Sequence, residues 1–79
     1  MSIAANNVKV FLFEKYCEHK ADELNIHIND LKELIRADVF RGLEELKEKG
    51  YIIYKKTSRD YCNVSLLSAF FEEYNIRIK

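Results

Sequence analysis

The stretch LEELKEKGYIIYKKTSRDY, Leu43 to Tyr61, decides the fold. Its first half is helical by period: Leu43 and Leu46 continue an apolar stripe that starts at Val39, with Glu and Lys between them. Gly50 suits the left-handed residue that ends a helix, and Lys47 and Lys49 sit near that helix's negative end. The pattern then switches to the period of two that a strand requires. Tyr51 to Lys56 alternate, TSRD at 57–60 has turn chemistry, and Tyr61 to Leu66 alternate again, with Cys62, Val64 and Leu66 on one face. Helix, glycine stop and hairpin in succession predict an α+β domain. The densest positive cluster of the chain, Lys55, Lys56 and Arg59, falls at the hairpin tip.

Upstream, Asn6 or Asn7 is the expected cap of a first helix from about Val8. Val8, Phe11, Leu12 and Tyr16 form its buried stripe, widened by Phe13 and Cys17. In NIHIND, Ile26 and Ile28 alternate with polar neighbours and predict a short strand. Asp30 with Glu33 fits a capping box, opening a second helix with Leu31, Leu34 and Ile35 as its apolar face. No Gly or Pro separates this helix from the next, and Leu31, Ile35, Val39, Leu43 and Leu46 would also align along one continuous helix. A break near Arg36–Asp38 is expected, because Asp38 can cap and two short helices build a better core. Downstream, Leu66, Leu67, Phe70, Phe71 and Tyr74 recur at helical spacing and predict a C-terminal helix. The last five residues, NIRIK, are too few to assign.

Composition bounds the function. The 79 residues make one small domain, 1–79, which at this size buries roughly 60–65% of the surface its unfolded chain exposes. Hydrophobic residues make up 48%, too many for a disordered chain. With 13 basic and 13 acidic residues, the protein does not coat nucleic acid through bulk charge. The distribution is uneven: residues 1–50 carry 8 basic and 10 acidic side chains, whereas residues 51–79 carry 5 and 3. The start, MSIAANNVKVFLF, lacks a basic leader region and is broken by Lys9 and Glu14, and no apolar run approaches the ~20 residues of a membrane helix. Cys17 and Cys62 are far apart and outside any CxxC pattern, so two reduced, buried thiols in a cytoplasmic protein are expected, and a disulfide is the lesser alternative. His19 and His27 have no second ligand at ligand spacing, so no metal site and no cofactor is expected. Neither a glycine-rich phosphate loop nor a nucleophile beside a base is present, so the chain does not read as an enzyme.

At DVFRGLEELKEKGYI, 38–52, the chain resembles the winged helix-turn-helix domains of MarR-like and related small microbial and viral regulators. The resemblance rests on Val39, Arg41, Gly42, Leu43, Leu46, Gly50 and Ile52, with a hairpin directly after them, and covers roughly Val8 to Leu66. It implies a winged helix: helix, short strand, helix, helix, β-hairpin wing, C-terminal helix. The helix near Asp38–Lys49 would enter the major groove of double-stranded DNA with its first turns, contacting it through Arg36, Ala37, Phe40 and Arg41. The hairpin 51–66 would be the wing, with Lys55, Lys56, Ser58 and Arg59 against the phosphates or in the minor groove. One departure stands out: KELIRADVF lacks the usual glycine or small polar turn between the second and third helices.

The side chains themselves support part of this. With Val39, Leu43 and Leu46 facing the core, a step of about 100° per residue turns Ala37, Arg41, Glu44 and Glu48 outward, flanked by Phe40 and Lys47. Arg41 can grip guanine at two atoms or a phosphate, Ala37 lets the backbone approach closely, and Phe40 can touch a thymine methyl. Glu44 and Glu48 would repel phosphates and must tilt away from them. Three cations per wing bind weakly alone. A homodimer would double them and span two half-sites about 34 Å apart, with the aromatic-rich first helix and residues 66–79, the latter through Phe70, Phe71, Tyr74 and Ile76, as the expected interfaces. Transcription regulation is the expected role, and a replication or plasmid-maintenance factor uses the same chemistry. The plainer alternatives are a charged turn that keeps strands from pairing edge to edge, an Arg41 paired with Asp38 or Glu45, an aromatic stripe that is simply core, and a winged-helix protein-interaction module without DNA binding.

Overall fold

The computed structural model describes residues 1–74 of the chain. Helix α1 spans Ile3–His19, strand β1 Glu23–His27, helix α2 Arg36–Glu48, strands β2 and β3 Ile52–Lys56 and Tyr61–Leu66, and helix α3 Ser68–Glu73. A single 3₁₀ turn, Ile28–Asp30, follows β1. The three strands form one antiparallel sheet in the order β1-β3-β2. This is a small α+β domain, as the change of period at Gly50 requires.

Helix α1 starts five residues earlier than expected. The Ser2 hydroxyl accepts from the Ala5 amide at 3.1 Å, so Ser2 is the cap and Asn6 and Asn7 lie inside the helix. The far end is closed by Lys20 in the left-handed region, φ 55, its amide donating to the Tyr16 carbonyl. Val8 and Leu12 are fully buried, while Phe11, Phe13 and Tyr16 are half-buried against the core. Cys17, expected in the stripe, is exposed near the end of α1; Cys62 alone is buried, and both thiols are free. Burial pushes the Cys62 thiol up, with Lys56 and Arg36 pulling partly the other way.

The main correction lies between β1 and α2. The expected helix through Leu31, Leu34 and Ile35 does not form, and Asp30 and Glu33 do not make a capping box. The Ile28 amide donates to the Asp60 carbonyl at 2.8 Å, holding the end of β1 to the hairpin. His27 Nδ1 accepts from the Asn29 amide at 3.1 Å and turns the chain into the 3₁₀ segment. A turn closed from Leu34 to Leu31 follows, and Ile35 is extended at φ −74, ψ 158. The local capping signal loses to the tertiary demand of reaching α2 within a few residues of the sheet. The break falls at Ile35, just before the expected Arg36–Asp38, and Ile35 caps α2 without a side-chain bond. Asp38 is therefore a first-turn residue of α2 rather than its cap.

Helix α2 buries Val39, Gly42, Leu43 and Leu46 and ends at Gly50, φ 80, as its sequence predicts. It crosses α1 at very short range: a Cβ on Gly42 would lie 2.8 Å from both the Ala4 carbonyl oxygen and Val8 Cγ2. The sheet contributes Leu24, Ile26, Ile52, Cys62, Val64 and Leu66 to the same core. Helix α3 closes it with Phe70 and Phe71, 0% and 3% exposed. Each such fully buried aliphatic or Phe side chain contributes about 1.5–3 kcal/mol of transfer free energy. No helix among the described residues is long and apolar enough to cross a membrane.

Candidate nucleic-acid interface

The start of α2 and the tip of the β2–β3 hairpin meet at one corner. The tip is closed on a single acceptor: the Tyr61 carbonyl receives the Thr57 and Ser58 amides at 3.0 and 3.3 Å and the Thr57 hydroxyl at 3.3 Å. Arg36, the first residue of α2, reaches across to it. Its Nη1 lies 2.9 Å from Asp60 Oδ1, and its Nη2 donates to the Arg59 carbonyl. A planar guanidinium suits this double contact, because two N–H groups can point at two acceptors at once. Phe40, one turn further along α2, is the second joint. The Arg36 guanidinium and the Lys56 ammonium each lie 5.4 Å from its ring centroid.

This geometry divides the residues nominated from sequence. Arg36 is half-buried and occupied by the hairpin tip, while Phe40 is half-buried with both cations over its ring. Ala37 is exposed, and Arg41 is 71% exposed, with Nη1 3.3 Å from Asp38 Oδ1. Of the two partners foreseen for Arg41, Asp38 is the one observed. Glu45 instead accepts the Ser2 amide at 2.9 Å, which holds its carboxyl below the usual range. Lys55, Lys56, Ser58 and Arg59 are all exposed, and the three cations make no ion pair with a described residue. Strand alternation separates the two lysines. Lys56 shares the α2 side of β2 with Ile52 and Tyr54, while Lys55 points to the open face of the sheet with Ile53.

The acidic side of α2 is partly occupied. Tyr54 donates its hydroxyl to Glu44 at 2.7 Å, and the Lys47 ammonium lies 5.9 Å from the Tyr54 ring and 4.0 Å from Glu44. Burial, and then the hydrogen bond to Glu44, push the Tyr54 hydroxyl up to about 12. Glu48 is exposed at the far end of the helix.

Two features of the corner escaped the sequence. Asp60 read as a turn former and is also the partner of Arg36; Tyr54 read as a strand residue and is also the partner of Glu44. These pairs lie 24 and 10 residues apart, so no local spacing signals them.

The dimer surface expected at 66–79 is corrected at Phe70 and Phe71. Phe70 and Phe71 lie in the domain's own core, where Phe71 meets Tyr16 edge-on at 5.0 Å, and cannot contact a second chain without opening α3. Tyr74 is half-buried and stacks on Phe13 at 4.0 Å. Ile76 lies outside the described residues. Apolar surface is found on the first helix, the other expected dimer surface: Val10 and Phe11, with Leu31 and Leu34, line a groove of about 310 Å³ with Glu14, Asp30, Lys32 and Glu33 also on its walls. It lies where the expected second helix gives way to a turn. Comparison with family models, curated proteins and solved structures finds no match to this chain.

Proposed function

We propose that this chain is a winged-helix protein that binds double-stranded DNA with sequence preference and regulates transcription in the cytoplasm as a homodimer. The observation that carries the proposal is the corner between α2 and the hairpin tip. Arg36, Asp60 and Phe40 fix the helix relative to the hairpin, and Lys55, Lys56 and Arg59 stand exposed around it. A helix start next to a cationic hairpin matches a groove flanked by phosphates. The sheet order β1-β3-β2 and the β2–β3 hairpin after α2 are compatible with a wing. Zero net charge is not an obstacle, because phosphates respond to local charge within about a Debye length. Tyr54 and Lys47 draw Glu44 toward β2, which eases the repulsion a carboxylate on α2 would cause.

A mobility-shift titration against random duplex at two salt concentrations tests this. Binding is expected to weaken steeply with salt, and Lys55→Ala with Lys56→Ala is expected to lower both affinity and salt slope. No shift at low salt would refute DNA binding. The dimer is tested by sedimentation of the wild type against Val10→Glu, placed on exposed α1 surface, and a monomeric mass for the wild type removes that part of the proposal.

A second reading, a protein-interaction module of the same fold, is favoured by the groove beside Val10 and Phe11. It predicts no salt-dependent duplex binding.

A further inference from the structure

The side chains that α2 turns outward do not have equal freedom. Arg36 is held by Asp60 and the Arg59 carbonyl. Phe40 lies under two cations, Glu44 accepts the Tyr54 hydroxyl, and Ala37 has no polar group. Glu48 is at the far end of the helix. Near its start one long polar side chain is left extended in solvent, Arg41, and it carries a carboxylate with it, Asp38 Oδ1 at 3.3 Å. Ala37 lies one turn before Arg41 on the same side, so nothing bulky shields it.

Resting on the duplex-DNA reading above, we infer that Arg41 and Asp38 act as one charge-neutral unit that reads a single guanine in the major groove, and that Asp38 sets this specificity by keeping Arg41 off the phosphates. A free surface arginine is drawn most strongly to phosphate, where its bonds are charge-assisted. A carboxylate 3.3 Å from the guanidinium weakens that attraction, because a phosphate approaching Arg41 also approaches Asp38. The guanine edge is neutral, so O6 and N7 meet no such repulsion. The guanidinium has five N–H groups, and an ion-pair contact of 3.3 Å between one nitrogen and Asp38 leaves enough of them to grip both atoms.

The work is divided between the two arginines of α2. Arg36 fixes the angle of the helix against the hairpin. Arg41 carries the base readout, supported by Asp38. Sequence preference is therefore narrow: one dominant guanine per half-site, with the remaining affinity spread over phosphate contacts that do not distinguish bases.

The test starts by selecting bound duplexes from a random pool with the wild-type chain. Wild type, Asp38→Asn and Arg41→Lys are then titrated by fluorescence anisotropy at two salt concentrations. Three duplexes are used: the selected one, the same with its guanine pair changed to an adenine–thymine pair, and a random one. Wild type should prefer guanine by about tenfold or more. Asp38→Asn should bind random duplex several-fold more tightly, steepen the salt slope by about one unit and lose most of the preference. Arg41→Lys keeps the charge but not the fork, and should lose the preference with little change in slope. Thermal unfolding of each variant, expected within a few degrees of wild type, separates these effects from misfolding.

Duplex binding with no enriched guanine overturns the inference while leaving the DNA reading intact, and so does Asp38→Asn with wild-type preference and slope. No binding by wild type to any duplex at low salt overturns both.

Discussion

Removal of the Arg36 guanidinium tests the joint between α2 and the hairpin. Arg36→Ala loses three contacts: the ion pair to Asp60 at 2.9 Å, the bond to the Arg59 carbonyl and the position over Phe40. The ion pair is screened, since the two side chains are 38% and 41% exposed, and contributes about 0.5 kcal/mol. The carbonyl bond contributes about 1 kcal/mol and the ring contact about 0.5 kcal/mol. These contacts share one group, so their combined loss is about 2 kcal/mol at most. A domain of this length has a total stability of about 4–12 kcal/mol, so the loss is a substantial fraction of it. The melting temperature should fall by about 10 °C.

Asp60→Ala should cost much less, about 0.5 kcal/mol, because it removes only the screened pair. Arg36→Lys keeps the charge, but its ammonium cannot present a planar fork to Asp60 and the Arg59 carbonyl together, so it should recover less than half of the loss. Urea and thermal unfolding, followed by circular dichroism on the two alanine variants and their combination, give the coupling energy. It should be about 0.5 kcal/mol and shrink in 1 M salt. A wild-type melting temperature for Arg36→Ala, or zero coupling at low salt, would refute the corner as a mechanical joint.

Gly42→Ala gains up to about 1 kcal/mol of helix propensity, yet its methyl would press on the Ala4 backbone carbonyl at 2.8 Å; a net loss of about 1–2 kcal/mol in urea unfolding is expected. Phe71→Glu should unfold the protein, because Phe71 is 3% exposed in the domain's core; a folded, cooperative Phe71→Glu would contradict that placement. Alkaline titration at 295 nm should show one tyrosine ionising near pH 12, lost in Tyr54→Phe. The folded state raises this hydroxyl above its ordinary value of 10, so its stabilising contribution is complete below pH 10 and is lost as pH rises through about 12.

Local signals carried far in this chain. Gly50, with its positive φ, ends α2 where the hydrophobic period changes, and the alternation of Cys62, Val64 and Leu66 gives the buried face of β3 correctly. Such features depend on a few neighbouring residues and their periodicity, which a sequence states directly. The same reasoning failed at 30–35. The Asp30–Glu33 pattern is a genuine capping signal, but a hydrogen bond from Ile28 to Asp60, 32 positions along the chain, overrides it. It failed also at Phe70 and Phe71. Their helical stripe was legible, but whether α1 or a second chain would cover it was not.

Local sequence was enough for the first helix, the short strand, the end of α2, the hairpin and the exposure of Lys55, Lys56 and Arg59, though not for the turn at 30–35, because period, glycine conformation and charge act over a few residues. Which charges of α2 are engaged depends on the packing of the whole domain. Arg36 is consumed by a hairpin more than twenty residues away, Glu44 is drawn to Tyr54, and Glu45 is taken by the Ser2 amide, so of the two partners that helical spacing offers Arg41 only Asp38 pairs with it. Partners are chosen by distance in space, and distance in space is set by the packing of α2 between α1 and the sheet.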